Sequence, residues 1–146
     1  MRYKNANKRI MLVSDDPSVR EALGQSLRTA GLDVLEAESG RSAATILRAN
    51  SINVIVLNFR TRFDAKDSDA VTSKTLTALT DADPFLPVIL TCDTDAELDY
   101  ETALMADLVL KHPVEASALL DGIDTLLGES LRERLHRKSH YIATLR

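Results

Sequence analysis

The sequence lacks the features that mark membrane proteins, secreted proteins and proteins held together by disulfides. Its single cysteine, Cys92, cannot form an internal disulfide. No apolar run is long enough to cross a bilayer, and no charged and then apolar leader is present. These absences predict a reduced, cytoplasmic protein without a membrane span or a secretory signal.

Aromatic residues and glycine are also scarce. The first shortage limits which residues can form the core, and the second bears on whether the chain binds a nucleotide. Aromatic residues make up 4% of the chain against 45% hydrophobic residues in total, so the core must consist of Val, Ile, Leu and Ala. The five glycines are scattered, at positions 24, 31, 40, 122 and 128, and form no glycine-rich loop for a nucleotide phosphate. A chain of 146 residues suffices to bury the core of one domain.

The net charge of −4 is unevenly distributed, because residues 129–146 are net basic. A basic tail can contact nucleic acid or an acidic partner. In this tail, however, Glu129 and Glu133 are interleaved with the basic residues. We therefore favour a solvated helix face and predict no direct binding of nucleic acid by this domain.

Short apolar runs alternate with helical patterns along the chain. The central run, residues 52–57, is rich in β-branched residues, which is typical of a parallel strand covered on both faces, and Asn58 follows it. Five strands alternating with five helices predict a doubly wound α/β domain with helices on both faces of a parallel sheet. The predicted strands are residues 10–13, 34–37, 52–57, 86–91 and 108–110.

Capping residues predict where the helices begin. Asp16 followed by Pro17 starts the first helix, and Ser39 caps the second. Thr94 and Glu97 form a capping box at the start of the fourth helix. The basic residues before the first strand predict a disordered arm.

The last helix is predicted to be unusually long, because its apolar stripe runs from Leu119 to Leu145 over roughly eight turns. The stripe continues past Gly128, where the core is expected to be complete. Leaving these apolar side chains in water forgoes burial free energy, so we expect a partner helix to cover them. A homodimer is therefore expected. The alternative is a linker to an effector. The predicted interface residues are Leu131, Leu135, Ile142 and Leu145.

Polar residues follow the predicted strands at their carboxyl ends, which meet at one edge of a parallel sheet. They are Ser14, Asp15 and Asp16, then Asn58, then Thr91, then Lys111 and His112. With the flanking residues 10–20, 54–58, 86–91 and 111–113, this succession resembles the receiver domain of two-component response regulators. The resemblance covers residues 8–128 and leaves residues 129–146 as a helical extension for dimerisation or linkage.

The resemblance implies a flavodoxin-like fold with strand order 2-1-3-4-5 and transfer of a phosphoryl group from a histidine kinase to an aspartate that ends the third strand. It also implies an acidic pair that binds Mg²⁺, a Thr or Ser after the fourth strand, and a Lys before a cis-proline. Asn58 occupies the acceptor position, and Thr91 occupies the Thr position. The remaining positions fall on Ser14 and Asp15, with Asp16 adjacent, and on His112, with Lys111 adjacent.

These departures predict a degenerate receiver, or pseudo-receiver, that is not an enzyme. The neutral amide of Asn58 lacks the ionised oxygen that attacks phosphorus. Ser14 and Asn58 remove about two negative charges, so only weak Mg²⁺ binding, at Asp15 and Asp16, and no other cofactor are expected. The predicted role is protein interaction and dimerisation independent of aspartate phosphorylation, with a histidine kinase or an effector as candidate partner.

Two alternatives remain open. In the first, the domain is a working receiver phosphorylated on another carboxylate, Asp64, Asp67 or Asp15, although a loop rarely holds a carboxylate in line with a phosphoryl group. In the second, Cys92 and His112, at the ends of neighbouring strands, form the catalytic dyad of an enzyme on the same fold.

Overall fold

The computed structural model describes residues 4–58, 68–93 and 105–137, with the side chains of residues 68–73 excepted. Five parallel strands form one sheet in the order β2-β1-β3-β4-β5. The predicted fold, a flavodoxin-like doubly wound parallel sheet, is confirmed. The strands are β1 (Arg9–Val13), β2 (Asp33–Ala37), β3 (Val54–Asn58), β4 (Val88–Cys92) and β5 (Leu108–Lys111).

The first two helices begin where the sequence carries caps. Asp16 accepts a hydrogen bond from the backbone N–H of Ser18 at 2.9 Å, and Ser39 and Ser42 form a reciprocal capping box, so both predicted caps are confirmed. The capping box predicted at Thr94 lies outside the described residues. No described helix is both long and apolar enough to span a membrane. The helices are α1 (Pro17–Thr29), α2 (Gly40–Ala49), α3 (Ser68–Ala82) and α4 (Ala116–Gly128).

The core consists of two apolar layers, one on each face of the sheet. Strand β3 serves both, because Ile55 and Leu57 face one layer while Val54 and Val56 face the other. Helices α2 and α3 complete the first layer, and α1 and α4 complete the second. Their contributions are Ala43, Leu76 and Leu79 on one face and Leu23, Leu27, Leu119 and Ile123 on the other.

The predicted disordered arm is wrong for residues 4–8. Residues 4–7 form a turn, in which the Asn7 N–H donates to the carbonyl of Gly31 at 2.9 Å. Asn5 Nδ2 donates to Asp124 at 2.6 Å. Gly31 has a φ of +97°, a backbone conformation that favours glycine, and the turn packs directly against it. The basic composition of residues 4–8 gave no indication of these hydrogen bonds to Gly31 and Asp124, which are far away in the sequence.

The prediction of one long final helix is also wrong. Helix α4 ends at Gly128, Glu129 is extended (φ −71°, ψ 132°), and a separate helical segment spans residues 131–137. Ser130 caps this segment by accepting a hydrogen bond from the Glu133 N–H at 3.1 Å. The Arg134 guanidinium donates to the carbonyl of Leu126 at 3.0 Å, a carbonyl that the Ser130 N–H would bond in a continuous helix.

At the outer edge of the sheet, helix α1 reaches over strand β2. The Arg28 guanidinium donates to the carbonyl of Val34 at 3.3 Å and to the carboxylate of Glu36 at 2.8 Å. Asp33 pairs with Arg9 of β1, and its N–H donates to the carbonyl of Lys8, so the N–H and C=O of the next residue, Val34, point away from the sheet. The side chain of Arg28 therefore covers a carbonyl on the open edge.

Candidate functional site

Strand register brings the polar strand ends together at the carboxyl edge of the sheet. Asn58, the last residue of β3, lies opposite Thr91 of β4. Ser14 follows β1, whose last residue pairs with Leu57. His112 follows β5, and its N–H donates to the carbonyl of Cys92 at 2.7 Å. Four adjacent strands thus contribute one polar residue each to the same point.

The side-chain amide of Asn58 lies at the centre of this group. Its Oδ1 accepts hydrogen bonds from Thr91 Oγ1 and from His112 Nε2, both at 2.8 Å. Its Nδ2 donates to Ser14 Oγ at 3.3 Å. Because an amide oxygen only accepts, the His112 imidazole carries a proton on Nε2 in this arrangement. One amide group therefore links the ends of β1, β3 and β4 with the residue after β5.

Ser14 forms four hydrogen bonds at the site. Its Oγ accepts from Asn58 and also from the backbone N–H of Asp16 at 3.1 Å, which uses both of its lone pairs. Its carbonyl accepts from Arg20 at 2.6 Å, and its N–H donates to Ala37 at 3.0 Å. Sequence reasoning missed this role. One signal in the sequence could have indicated it. Ser14 follows one strand, the neighbouring strand ends in Asn58, and a small hydroxyl can bond an amide at that distance.

The side chains of Lys111 and His112 lie in different places in the structure. The peptide bond between His112 and Pro113 is cis, and the His112 imidazole points at Asn58. Lys111 closes strand β5 opposite Cys92, and its side chain is exposed. His112 therefore holds the position next to Asn58 that the resemblance gives to a lysine.

Asn58 and Ser14 are poor ligands for a divalent cation. Both acceptor directions of Asn58 Oδ1 and both lone pairs of Ser14 Oγ are already taken by hydrogen-bond donors. One oxygen of the Asp16 carboxylate accepts from the Ser18 N–H at the start of α1, so the carboxylates of Asp15 and Asp16 could form only a weak Mg²⁺ site. Within the described residues, no group of three or more His, Cys, Asp or Glu side chains is arranged to hold a metal ion.

Cys92 lies in the apolar layer under the site. Its side chain is fully buried beside Leu57 and Leu90, and its Sγ contacts the carbonyl of Leu110 at 3.9 Å. A thiol buried in an apolar core is typically inert, because reactive thiols need access and a positively charged neighbour. The bonded imidazole nitrogen of His112 faces Asn58. These placements argue against a Cys92 and His112 dyad.

The predicted interface is described only in part. Leu131 and Leu135 lie one turn apart on the segment 131–137, with 64% and 37% of their surface exposed. Ile142 and Leu145 lie outside the described residues, as do the alternative carboxylates Asp64 and Asp67.

No protein-family model matches the sequence. Two curated relatives do, the transcriptional regulatory proteins GlrR of Escherichia coli K12 and QseF of Escherichia coli O157:H7. Each is 27% identical over 132 residues, which cover 89% of this chain. The chain spans only 28% of the length of either relative.

Solved structures of receiver domains superpose on most of the chain. A response regulator receiver domain from Clostridium thermocellum gives a TM-score of 0.68 at 21% identity, over 83% of this chain and 94% of that one. TrrA from Thermotoga maritima, in complex with Mg²⁺ and BeF, gives 0.68 at 19% identity, over 82% and 99%. CheY4 from Vibrio cholerae gives 0.68 at 19% identity, over 84% and 100%. The chain therefore has the fold of response regulator receiver domains.

Proposed function

We propose that this chain is a degenerate receiver module of two-component signalling, spanning residues 8–128, that works without phosphorylation of an aspartate. The observation that carries the proposal is the hydrogen bonding of Asn58. In a working receiver, Thr and Lys at these positions are expected to contact a phosphoryl group. Here Thr91 and His112 both donate to the amide oxygen of Asn58 itself.

The chemistry of the amide supports this function. An amide oxygen has no negative charge with which to attack phosphorus, so it cannot form an acyl phosphate. The same oxygen satisfies the hydroxyl of Thr91, which is fully buried, and also accepts from His112. The arrangement is complete without phosphate and metal, and the module's partner, a kinase or an effector protein, would bind its surface.

Intact mass after incubation with acetyl phosphate and Mg²⁺ tests the proposal. We expect no increase in mass by one phosphoryl group in the unmodified chain. Asn58→Asp supplies the missing carboxylate, and the triple variant with Ser14→Asp and His112→Lys restores the acidic pair and the lysine as well. We expect phosphorylation of the triple variant to exceed that of Asn58→Asp.

Phosphorylation of the unmodified chain would overturn the proposal and favour a substitute carboxylate. Variants Asp15→Asn, Asp64→Asn and Asp67→Asn would then identify it. Thr91→Val serves as the matched control, because it removes a hydroxyl from the same site without changing its charge.

We further propose that two copies associate through the segment that follows residue 128. Leu131 and Leu135 lie one helical turn apart and are exposed, and each apolar side chain left in water forgoes roughly 1.5 to 3 kcal/mol of burial free energy. Light scattering should give twice the monomer mass for the full chain and the monomer mass for Leu131→Ser with Leu135→Ser. A monomer in both cases would contradict dimerisation, and Thr125→Ser is a control on the exposed face of α4.

A further inference from the structure

A second polar cluster lies away from the site, where the segment 131–137 meets the sheet. Asp107 precedes strand β5, and its side chain is only 3% exposed. One of its oxygens accepts from the Val88 N–H at 2.6 Å, and the other binds the Arg137 guanidinium. Arg137 also donates to both oxygens of Glu129, at 2.8 and 2.9 Å. One guanidinium therefore joins the segment to β5 and to the break after α4.

The electrostatics of the cluster favour its charged form. Hydrogen bonding from Arg137 holds the pKa of the Glu129 carboxyl below its usual value, against an opposing effect of burial. Hydrogen bonding to Glu129, and then to Asp107, raises the pKa of Arg137. Bidentate pairing of a guanidinium with a carboxylate is among the stronger contacts between side chains, because both groups are charged and their geometries match.

The backbone at the break does not require the bend. The chain has no proline between residues 116 and 137, and Glu129 has an ordinary negative φ. A Cβ added at Gly128 would meet nothing within 4 Å. In one unbroken helix, Leu127, Leu131 and Leu135 would share a face at spacing i, i+4. The local sequence thus suits a continuous helix, while the caps from Ser130 and Arg134 suit a broken one.

We propose that the ion pairs of Arg137 with Asp107 and Glu129, which we call the latch, keep α4 broken at Glu129. When these ion pairs are released, α4 continues as one helix to residue 137. The latched form turns the chain back onto β5, whereas the released form projects it away from the domain. The latch thus sets the direction in which the following residues leave. The device goes beyond the function proposed above, because neither form depends on Asn58 or on phosphorylation.

Carbon chemical shifts of the backbone test the latch directly in the full chain. In the unmodified protein at low salt, the Cα shifts of Glu129 and Ser130 should be non-helical. In Arg137→Gln they should move to helical values, with the ratio of continuous to broken helix rising about tenfold, which corresponds to about 1.4 kcal/mol. Arg132→Gln removes the same charge from an exposed position of the same segment and should leave both shifts unchanged.

Two further measurements keep the proposal falsifiable if Arg137→Gln perturbs the fold. Gly128→Ala with Ser130→Ala raises helix propensity and removes the cap, and should also shift Glu129 towards helix while every latch residue is intact. Adding 1 M NaCl to the unmodified protein should act in the same direction. Non-helical shifts for Glu129 in Arg137→Gln and in the double variant, or helical shifts in the unmodified protein at low salt, would overturn the proposal.

Discussion

At the scale of single residues, Asn58 determines the character of the site. Its single side-chain amide forms hydrogen bonds with the hydroxyls of Ser14 and Thr91 and with the imidazole of His112. An aspartate in the same place would offer only acceptors and could not donate to Ser14. The amide therefore contributes to the structure of the site through three hydrogen bonds.

Replacing Asn58 by alanine should be more costly than removing any one of its partners. The change leaves Thr91, Ser14 and His112 without their bonds to the amide, so we expect a loss of about 3 kcal/mol in the free energy of unfolding. Thr91→Val, which removes a single bond, should cost about 1 kcal/mol. Urea unfolding of the two single variants and of the double variant measures the coupling. Equal costs for the two single variants would contradict the central role of Asn58.

The sequence predicted the location of these residues but not their bonding. A strand end is recognisable from a local apolar run, so Asn58 and Thr91 were expected at the same edge. His112 was assigned to the site from its place directly before Pro113, but its hydrogen bond to Asn58 and the role of Ser14 depend on strands that pair over separations of 54 and 44 residues. Neither is encoded in a short window of sequence.

At the scale of elements, helices α2 and α3 pack closely because Gly40 has no side chain. A Cβ at Gly40 would lie 2.7 Å from Thr75 Oγ1 and 3.4 Å from its Cβ. Thr75 is buried and, being β-branched, has few alternative rotamers. The first turn of α2 can therefore sit against α3 only with glycine at this position.

We expect Gly40→Ala to destabilise the protein by about 1 to 2 kcal/mol, although alanine is the better helix former. Adding Thr75→Ala should recover part of that loss by making room for the new methyl group. Gly128→Ala is the matched control, because the added Cβ meets nothing within 4 Å, and it should be neutral or stabilising. Thermal unfolding of the unmodified protein, Gly40→Ala, Thr75→Ala, their combination and Gly128→Ala distinguishes these outcomes, and strict additivity at Gly40 and Thr75 would contradict the predicted clash.

Element boundaries were predictable where the determinants are local. Asp16 and Ser39 cap the helices that begin within two residues of them. The break at Glu129 was missed because Arg137 reaches Asp107, which lies 30 residues away. The apolar spacing alone favours the continuous helix, whereas the local cap by Ser130 and the contacts of Arg137 favour the break.

At the scale of the whole molecule, Glu129 makes stability depend on pH. Its pKa is lowered in the folded state, so its contribution is present above its usual pKa and is lost as the pH falls through the folded value. The Arg137 side chain is 37% exposed, so solvent screening limits the gain to about 0.5 kcal/mol. We expect the stability difference between the unmodified protein and Glu129→Gln to be constant from pH 7 to 5 and to shrink below about pH 4.

Urea midpoints across this range measure that difference. Glu133→Gln, on the same segment, controls for the loss of a charge at an exposed position. A difference that grows as the pH falls would have the wrong sign and would contradict the assignment. The doubly wound parallel sheet, by contrast, followed from the alternation of strands and helices, whereas its strand order was an expectation from the resemblance to receiver domains.

The contact of Arg28 with the edge of strand β2 affects how copies of this protein can associate. An open edge strand offers unpaired carbonyl and N–H groups to any other strand, which is the usual route to sheet extension and aggregation. Here a guanidinium held by Glu36 already occupies the carbonyl of Val34. A strand that pairs along β2 must displace this charged group to bond the Val34 carbonyl, so association by growth of the sheet at this edge is less favourable.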